Sequence, residues 1–103
     1  MSFDLKTVAG MIDHTCLKAD ATSSEIEKLC REALEYRFHS VCVNGAWVSF
    51  CASLLRGSSV KVAAVAGFPL GAGMSKVKAF EAETAAAAGA AEIDMVMNIG
   101  SLL

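Results

Sequence analysis

The sequence has little excess charge of either sign, few aromatic residues and no long apolar run. Its 9 basic and 11 acidic side chains are interspersed along 103 residues and leave a net charge of -2. A protein that binds nucleic acid concentrates basic residues on one surface, so this composition argues against a nucleic-acid partner. No apolar run approaches the roughly 20 residues of a membrane-spanning helix, which argues against a membrane partner.

The first ten residues do not have the pattern of a secretory signal, and the cysteines do not form a paired motif. Asp4 and Lys6 interrupt the first ten residues, where a signal would carry a basic start and then an apolar stretch. The four cysteines include no C-x-x-C pair, which disfavours a zinc site and a redox motif, and each is predicted to be a small buried side chain. We therefore expect a single cytoplasmic domain over residues 1–103.

The apolar residues, with 54% of the chain hydrophobic, alternate between strand-like runs and helical spacing. Because the intervals between the runs have the length of one βα unit, the pattern predicts an α/β fold with a parallel sheet. Right-handed crossovers would gather the loops after the strands at one edge, where any chemistry is expected. The predicted strands cover residues 11–15, 40–43, 60–66 and 92–99, and a short helix is predicted within residues 2–9.

Three longer helices are predicted between the strands. Thr22 and Glu25 have the spacing of a capping box, so the first helix begins there. The second is predicted to end at Gly57, and the third to run from a Ser75 cap to Gly89. No helix is predicted after the fourth strand.

Two acidic residues, Asp13 and Asp94, lie within predicted strands that are otherwise apolar. An unpaired carboxylate is costly to bury, so each needs a partner or a function. For Asp13, a hydrogen bond with the Thr15 hydroxyl or with amides of the following turn is an alternative to a functional role. Asp94 has no charged neighbour among the residues flanking it in its strand, which favours a function.

The remaining polar residues predict no metal site and no activated lysine. His14 and His39 are predicted to be packing or surface residues, because no second ligand recurs at metal spacing, and no cofactor is expected. A Schiff base requires a desolvated lysine with a lowered pKa. None of the lysines on the helices, Lys78 included, and none in the loops is predicted to be buried.

The segment GFPLGAG, residues 67–73, joins the third strand to the third helix. Backbone amides of such a loop could bind a phosphate. The segment matches neither G-x-G-x-x-G nor G-x-x-x-x-G-K-[ST], so the motif alone does not decide whether phosphate binds here.

Four segments taken together resemble the amino-terminal half of deoxyribose-phosphate aldolase. They are IDHTCLKADAT (12–22), SVCVNGAWV (40–48), VAAVAGFPLGAG (62–73) and KAFEAETAAAAGAAEIDMVMNIG (78–100). The resemblance covers nearly the whole chain in order. It implies strands one to four, half of a TIM (β/α)8 barrel whose complete form has roughly 250 residues.

The resemblance also implies a reaction and a set of residues. The family is a lyase of deoxyribonucleotide catabolism that cleaves 2-deoxyribose 5-phosphate to glyceraldehyde 3-phosphate and acetaldehyde, through a lysine Schiff base and without a metal. Asp94 matches its proton-relay aspartate, and Asp13 and Cys42 match residues of its substrate pocket. The Schiff-base lysine and the phosphate-holding residues have no counterpart in this chain. Gly45 stands where the family usually has proline.

We therefore interpret the chain as a truncated aldolase that has no turnover on its own. The alternatives are a small α/β module that binds phosphate on the 67–73 loop and a non-catalytic half-barrel that assembles with a copy of itself. An unfinished barrel leaves two strand edges unpaired, so a homodimer or larger assembly is expected. Its seams or core are predicted to include Ile12, Val41 and Val96.

Overall fold

The computed structural model describes residues 4–103, and within them helices alternate with four parallel strands. The elements are α1 Leu5–Ala9, β1 Asp13–Cys16, α2 Ser23–Tyr36, β2 Ser40–Val43, a 3-10 turn Gly45–Trp47, α3 Val48–Leu54, β3 Lys61–Ala66, α4 Ser75–Ala88, β4 Glu92–Met95 and α5 Ile99–Leu102. The strands lie side by side in chain order, and each neighbouring pair is parallel. The predicted α/β class and parallel sheet are confirmed.

Local signals set the start of α2. The Thr22 hydroxyl oxygen accepts the backbone N–H of Glu25 at 3.3 Å, as the capping pattern predicts. The Glu25 carboxylate binds the Lys18 ammonium at 2.8 Å instead of closing the capping box. The helix buries one apolar stripe from Ile26 to Ala33, and Leu34, which follows it, is 41% exposed.

The main core lies between one face of the sheet and the helices. Alternate residues of the central strands point into it, because successive side chains of a strand lie on opposite faces. This core contains Val41 and Val43 from β2, Val62 and Ala64 from β3, and residues of α2, α3 and α4. Val41 is fully buried among them, in the core of this chain itself, and its place near the seams or core of an assembly stays a prediction.

The opposite face of the sheet, called here the open face, carries Cys42, Ala63 and Val65. These three side chains form a second, smaller buried cluster that is joined by Leu17. No helical residue of the described part of the chain belongs to this cluster. In a closed (β/α)8 barrel the corresponding face is filled by layers of side chains from all eight strands.

The structure shifts the predicted ends of the outer strands. β1 begins only at Asp13, because Met11 and Ile12 donate their N–H groups to Val8 and Ala9 and so close the turn after α1. β4 ends at Met95, well before residue 99, since β3 offers no ladder partner beyond Ala66, which accepts the N–H of Val96.

Several helix predictions also change. A helix does follow the fourth strand: the Asn98 side chain accepts the N–H of Ser101 at 3.1 Å and caps α5. Ser75 does not cap α4 but is its first residue. α3 ends at Leu54, ahead of Gly57. α1 confirms the helix predicted within residues 2–9, of which residues 2 and 3 lie outside the described part.

All four cysteines are free thiols, three of them buried and Cys16 half-buried. Among residues 4–103, no helix combines the length and apolar character needed to cross a membrane.

Candidate active site

Cys42 and Asp94 are in contact on the open face. The Cys42 thiol donates to a carboxylate oxygen of Asp94, with Sγ and Oδ2 3.7 Å apart. Burial of the thiol, followed by the negative charge of Asp94, raises the pKa of Cys42 from 9.0 to about 11. The thiol is therefore protonated at neutral pH, so it acts as a hydrogen-bond donor to the carboxylate rather than as a thiolate nucleophile.

Asp94 is exposed to solvent. Its carboxylate is therefore not buried as its place in an apolar strand predicts: water solvates the charge, and the Cys42 thiol supplies one hydrogen bond. Asp94 is level with Val65 in the sheet, close to the end of β3. This position is at the carboxyl edge, where the loops after the parallel strands meet.

Asp13 lies at the other end of the open face. It is the first residue of β1 and pairs in register with Ser40, and its carboxylate accepts the hydroxyl hydrogen of the fully buried Ser40. The Thr15 hydroxyl binds the backbone carbonyl of Asp13, at 2.9 Å, and not its carboxylate. The predicted local partner for this carboxylate is therefore wrong, and the actual partner comes from β2.

His39 and Glu92 complete a cluster with Asp13 that the spacing of the sequence did not reveal. His39 Nε2 and a Glu92 carboxylate oxygen are 2.8 Å apart. One ligand atom from each of the three residues lies within 4.8 Å of the others. One imidazole and two carboxylates are a donor set that a divalent cation accepts. The hydrogen bonds of His39 with Glu92 and of Asp13 with Ser40 already give these groups protein partners.

His14 has the packing role that the sequence predicts. Its ring lies edge-on to Phe38, with centroids 5.1 Å apart, and its Nε2 is 3.1 Å from a carboxylate oxygen of Glu32 on α2. The hydrogen bond with His14 lowers the pKa of Glu32. His14 thus joins β1 to the helix layer, away from the open face.

Lys78 contradicts the prediction that the helical lysines are exposed. Its side chain is only 7% exposed, and its ammonium donates to the backbone carbonyls of Gly71 at 2.7 Å and Val96 at 2.9 Å. Helical spacing did not reveal this burial, because the 67–73 loop folds back over the start of α4 and covers the lysine stem. The loop lies close against this stem, since a Cβ on Gly67 would come 3.0 Å from Lys78 Cε.

The 67–73 loop is held by a bond within its own backbone and by side chains of α4. The Gly71 N–H donates to the Gly67 carbonyl at 2.7 Å, and the Gly67 N–H donates to the Glu81 carboxylate at 3.2 Å. Gly67 and Gly71 have φ angles of +64° and +69°, which suit glycine. Two of the amides that could bind a phosphate therefore already have partners inside the protein.

The chain is similar in sequence to curated deoxyribose-phosphate aldolases. Deoxyribose-phosphate aldolase 1 of Bacillus licheniformis is 60% identical over 97 residues, which are 94% of this chain and 44% of that protein. Deoxyribose-phosphate aldolase of Clostridium perfringens is 59% identical over 99 residues, 96% of this chain and 44% of that protein. No protein-family model matches the chain.

Solved structures agree with the sequence relatives. A deoxyribose-phosphate aldolase candidate from Coccidioides immitis superposes with a TM-score of 0.94 at 42% identity, over 99% of this chain and 40% of that one. A deoxyribose phosphate aldolase from Aeropyrum pernix, described as tetrameric, superposes with a TM-score of 0.89 at 34% identity, over 95% and 42%. The chain is thus a homologue of deoxyribose-phosphate aldolases that spans less than half of their length, consistent with their amino-terminal half alone.

Proposed function

We propose that this chain forms strands one to four of a deoxyribose-phosphate aldolase barrel. The observation that carries the proposal is the identity of about 60% with curated relatives of that name over nearly the whole chain. The complete enzyme would cleave 2-deoxyribose 5-phosphate to glyceraldehyde 3-phosphate and acetaldehyde, as a cytoplasmic lyase of deoxyribonucleotide catabolism. Residues 1–103 would then form one partial domain, the amino-terminal half of the barrel.

Asp94 is proposed to relay protons in this reaction, and Asp13 and Cys42 to line the substrate pocket. The position of Asp94 at the carboxyl edge of the sheet supports its role, since a general acid or base must reach the substrate directly or through one water. The contact between Asp94 and the protonated Cys42 thiol supports a shared pocket. Asp13 would act from the amino end of the open face, next to Ser40.

The chain by itself is proposed to lack turnover. A class I aldolase needs a lysine that forms a Schiff base, and the ammonium of the buried Lys78 is engaged by two carbonyls and belongs to α4 rather than to the open face. Incubation with acetaldehyde and borohydride tests this point by mass spectrometry. Specific reductive labelling of one lysine, together with turnover that is lost when it is replaced, would contradict the proposal.

A chimera tests the function directly. It joins this chain to the part of the Bacillus licheniformis relative that the chain does not match. We expect turnover of 2-deoxyribose 5-phosphate by the chimera, and a loss of about 100-fold or more on Asp94→Asn, the usual size for a lost general acid or base. Glu83→Gln, an exposed change on α4, is the matched control and should leave turnover unchanged. A folded chimera in which Asp94→Asn is fully active would refute the role of Asp94.

Self-assembly of the half-barrel is a second candidate role, which the open face and the two outer strands favour. β1 and β4 are each paired on one side only, and Met95 and Met97 are 60% and 51% exposed. Two copies could pair β4 of one with β1 of the other and close eight strands. Sedimentation over a concentration series tests it, and a folded monomer at tens of micromolar would contradict it. The engaged amides of the 67–73 loop make a phosphate module the weaker alternative.

A further inference from the structure

Lys78 is the only buried charged side chain among residues 4–103. Its ammonium lies between two backbone carbonyls, those of Gly71 and Val96, and the described part of the chain places no carboxylate within 4 Å of it. Taking an ammonium out of water is costly, so the burial of this one calls for a role of its two bonds to the carbonyls.

The two carbonyls belong to different segments of the carboxyl edge. Gly71 lies in the loop that follows β3, and Val96 is the first residue after β4. The segments touch closely, since a Cβ on Gly71 would come 2.2 Å from the carbonyl oxygen of Met97 and 2.7 Å from Val96 Cγ1. Lys78 therefore joins the β3 loop and the end of β4 from the side of α4.

Apart from this contact with Gly71, few interactions hold the end of β4. Asp94 and Met95 are exposed, so their side chains contribute little packing. Beyond the ladder with β3, the backbone of Val96 is held by its N–H bond to the Ala66 carbonyl at 3.0 Å and by the bond from Lys78 to its own carbonyl. Asp94 lies two residues before Val96, so the direction in which its carboxylate points depends on these bonds.

We propose that Lys78 is a positioning residue, which fixes the end of β4 so that the Asp94 carboxylate stays against the Cys42 thiol. Its use in catalysis rests on the function proposed above. The contact between Asp94 and Cys42, and its dependence on Lys78, can be measured without substrate.

The Cys42 thiol reports the position of Asp94. Burial is the main cause that raises its pKa to about 11, and the charge of Asp94 is the next, with smaller contributions from Asp13 and Glu92. If Asp94 moves away, the pKa of Cys42 must fall toward 9.0. Direct loss of the Lys78 charge has the opposite sign, because removing a cation disfavours the thiolate and raises a thiol pKa.

The experiment measures the pKa of Cys42 from the pH dependence of its 13C Cβ chemical shift, in the full chain and in its variants. We expect Lys78→Met to lower this pKa, and Asp94→Asn to lower it by removing the charge itself. In the Asp94→Asn background, Lys78→Met should cause no further fall. Lys76→Met, an exposed lysine at the start of the same helix, is the matched control and should leave the pKa unchanged.

The double-variant cycle separates positioning from a general loss of structure. A loosened fold would expose Cys42 and lower its pKa in both backgrounds, whereas positioning through Asp94 lowers it only where the carboxylate is present. If Lys78→Met does not fold, Lys78→Gln is measured in the same way, because it removes the charge but keeps an amide donor. An unchanged or higher pKa in the folded Lys78 variant, or an equal fall in the Asp94→Asn background, would overturn the proposal.

Discussion

Gly71→Ala should destabilise the chain strongly, because this position combines a left-handed backbone with a closed environment. The φ angle of Gly71 is +69°, and an added Cβ would lie 2.2 Å from the Met97 carbonyl oxygen and 2.9 Å from its carbonyl carbon. A left-handed conformation costs a residue with a Cβ roughly 1–2 kcal/mol. Overpacking of the added Cβ against backbone atoms, which cannot rotate away as a side chain can, typically adds about 1–3 kcal/mol to this cost. The smaller entropy of the unfolded chain offsets roughly 0.4–1 kcal/mol.

The expected net loss in the free energy of unfolding is therefore about 2–4 kcal/mol, against a total of roughly 5–15 kcal/mol for a domain. Two other glycines separate the causes. Gly57 has a φ of +81° with no atom within 4 Å of an added Cβ, so Gly57→Ala carries the backbone strain alone, about 1 kcal/mol. Gly73 meets no atom and has no positive φ, so Gly73→Ala should change stability by less than about 0.5 kcal/mol.

Urea unfolding followed by Trp47 fluorescence and by circular dichroism measures all three variants. Equal slopes with denaturant show that the midpoints report stability rather than a change in the exposed surface. The difference between Gly71→Ala and Gly57→Ala gives the cost of the contact with the segment after β4. If the two variants lose the same free energy, the close packing of Gly71 on that segment is refuted.

Three further changes test other parts of the structure. The folded pKa of Cys42, about 11, lies above its ordinary value of 9.0, so its contribution to stability is complete below pH 9 and is lost as pH rises through 11. Urea titrations over this pH range should show at most about 2–3 kcal/mol of loss in the free energy of unfolding from this group. In Cys42→Ala, the free energy of unfolding should decline less steeply over the same range. Thr22→Ala should cost about 1 kcal/mol through the lost cap, whereas Ser75→Ala should be nearly neutral, and equal losses would contradict the observed caps. Ile26→Ala should cost about 2–5 kcal/mol in the same assay, because the side chain is fully buried, and a loss below about 1 kcal/mol would show that the core is loosely packed there.

Much of the fold could be predicted from the sequence, because the signals are local. The apolar stripe and the Thr22 cap define α2, and the run of residues 40–43 is β2 as predicted. The regular alternation of these elements predicts a parallel sheet, since each strand must return through a helix. The resemblance of four segments to one family points to Asp94, Cys42 and Asp13 as residues of the site.

Only the tertiary structure decided where the outer strands stop and which polar groups meet. β1 and β4 are limited by hydrogen-bond partners on other segments, which a linear pattern does not contain. Lys78 binds the carbonyl of Val96, 18 positions along the chain. His39 binds Glu92, which is 53 positions away. Such contacts depend on the register between strands and on the path of loops, and both are set by packing of the whole chain rather than by any local preference for helix or strand.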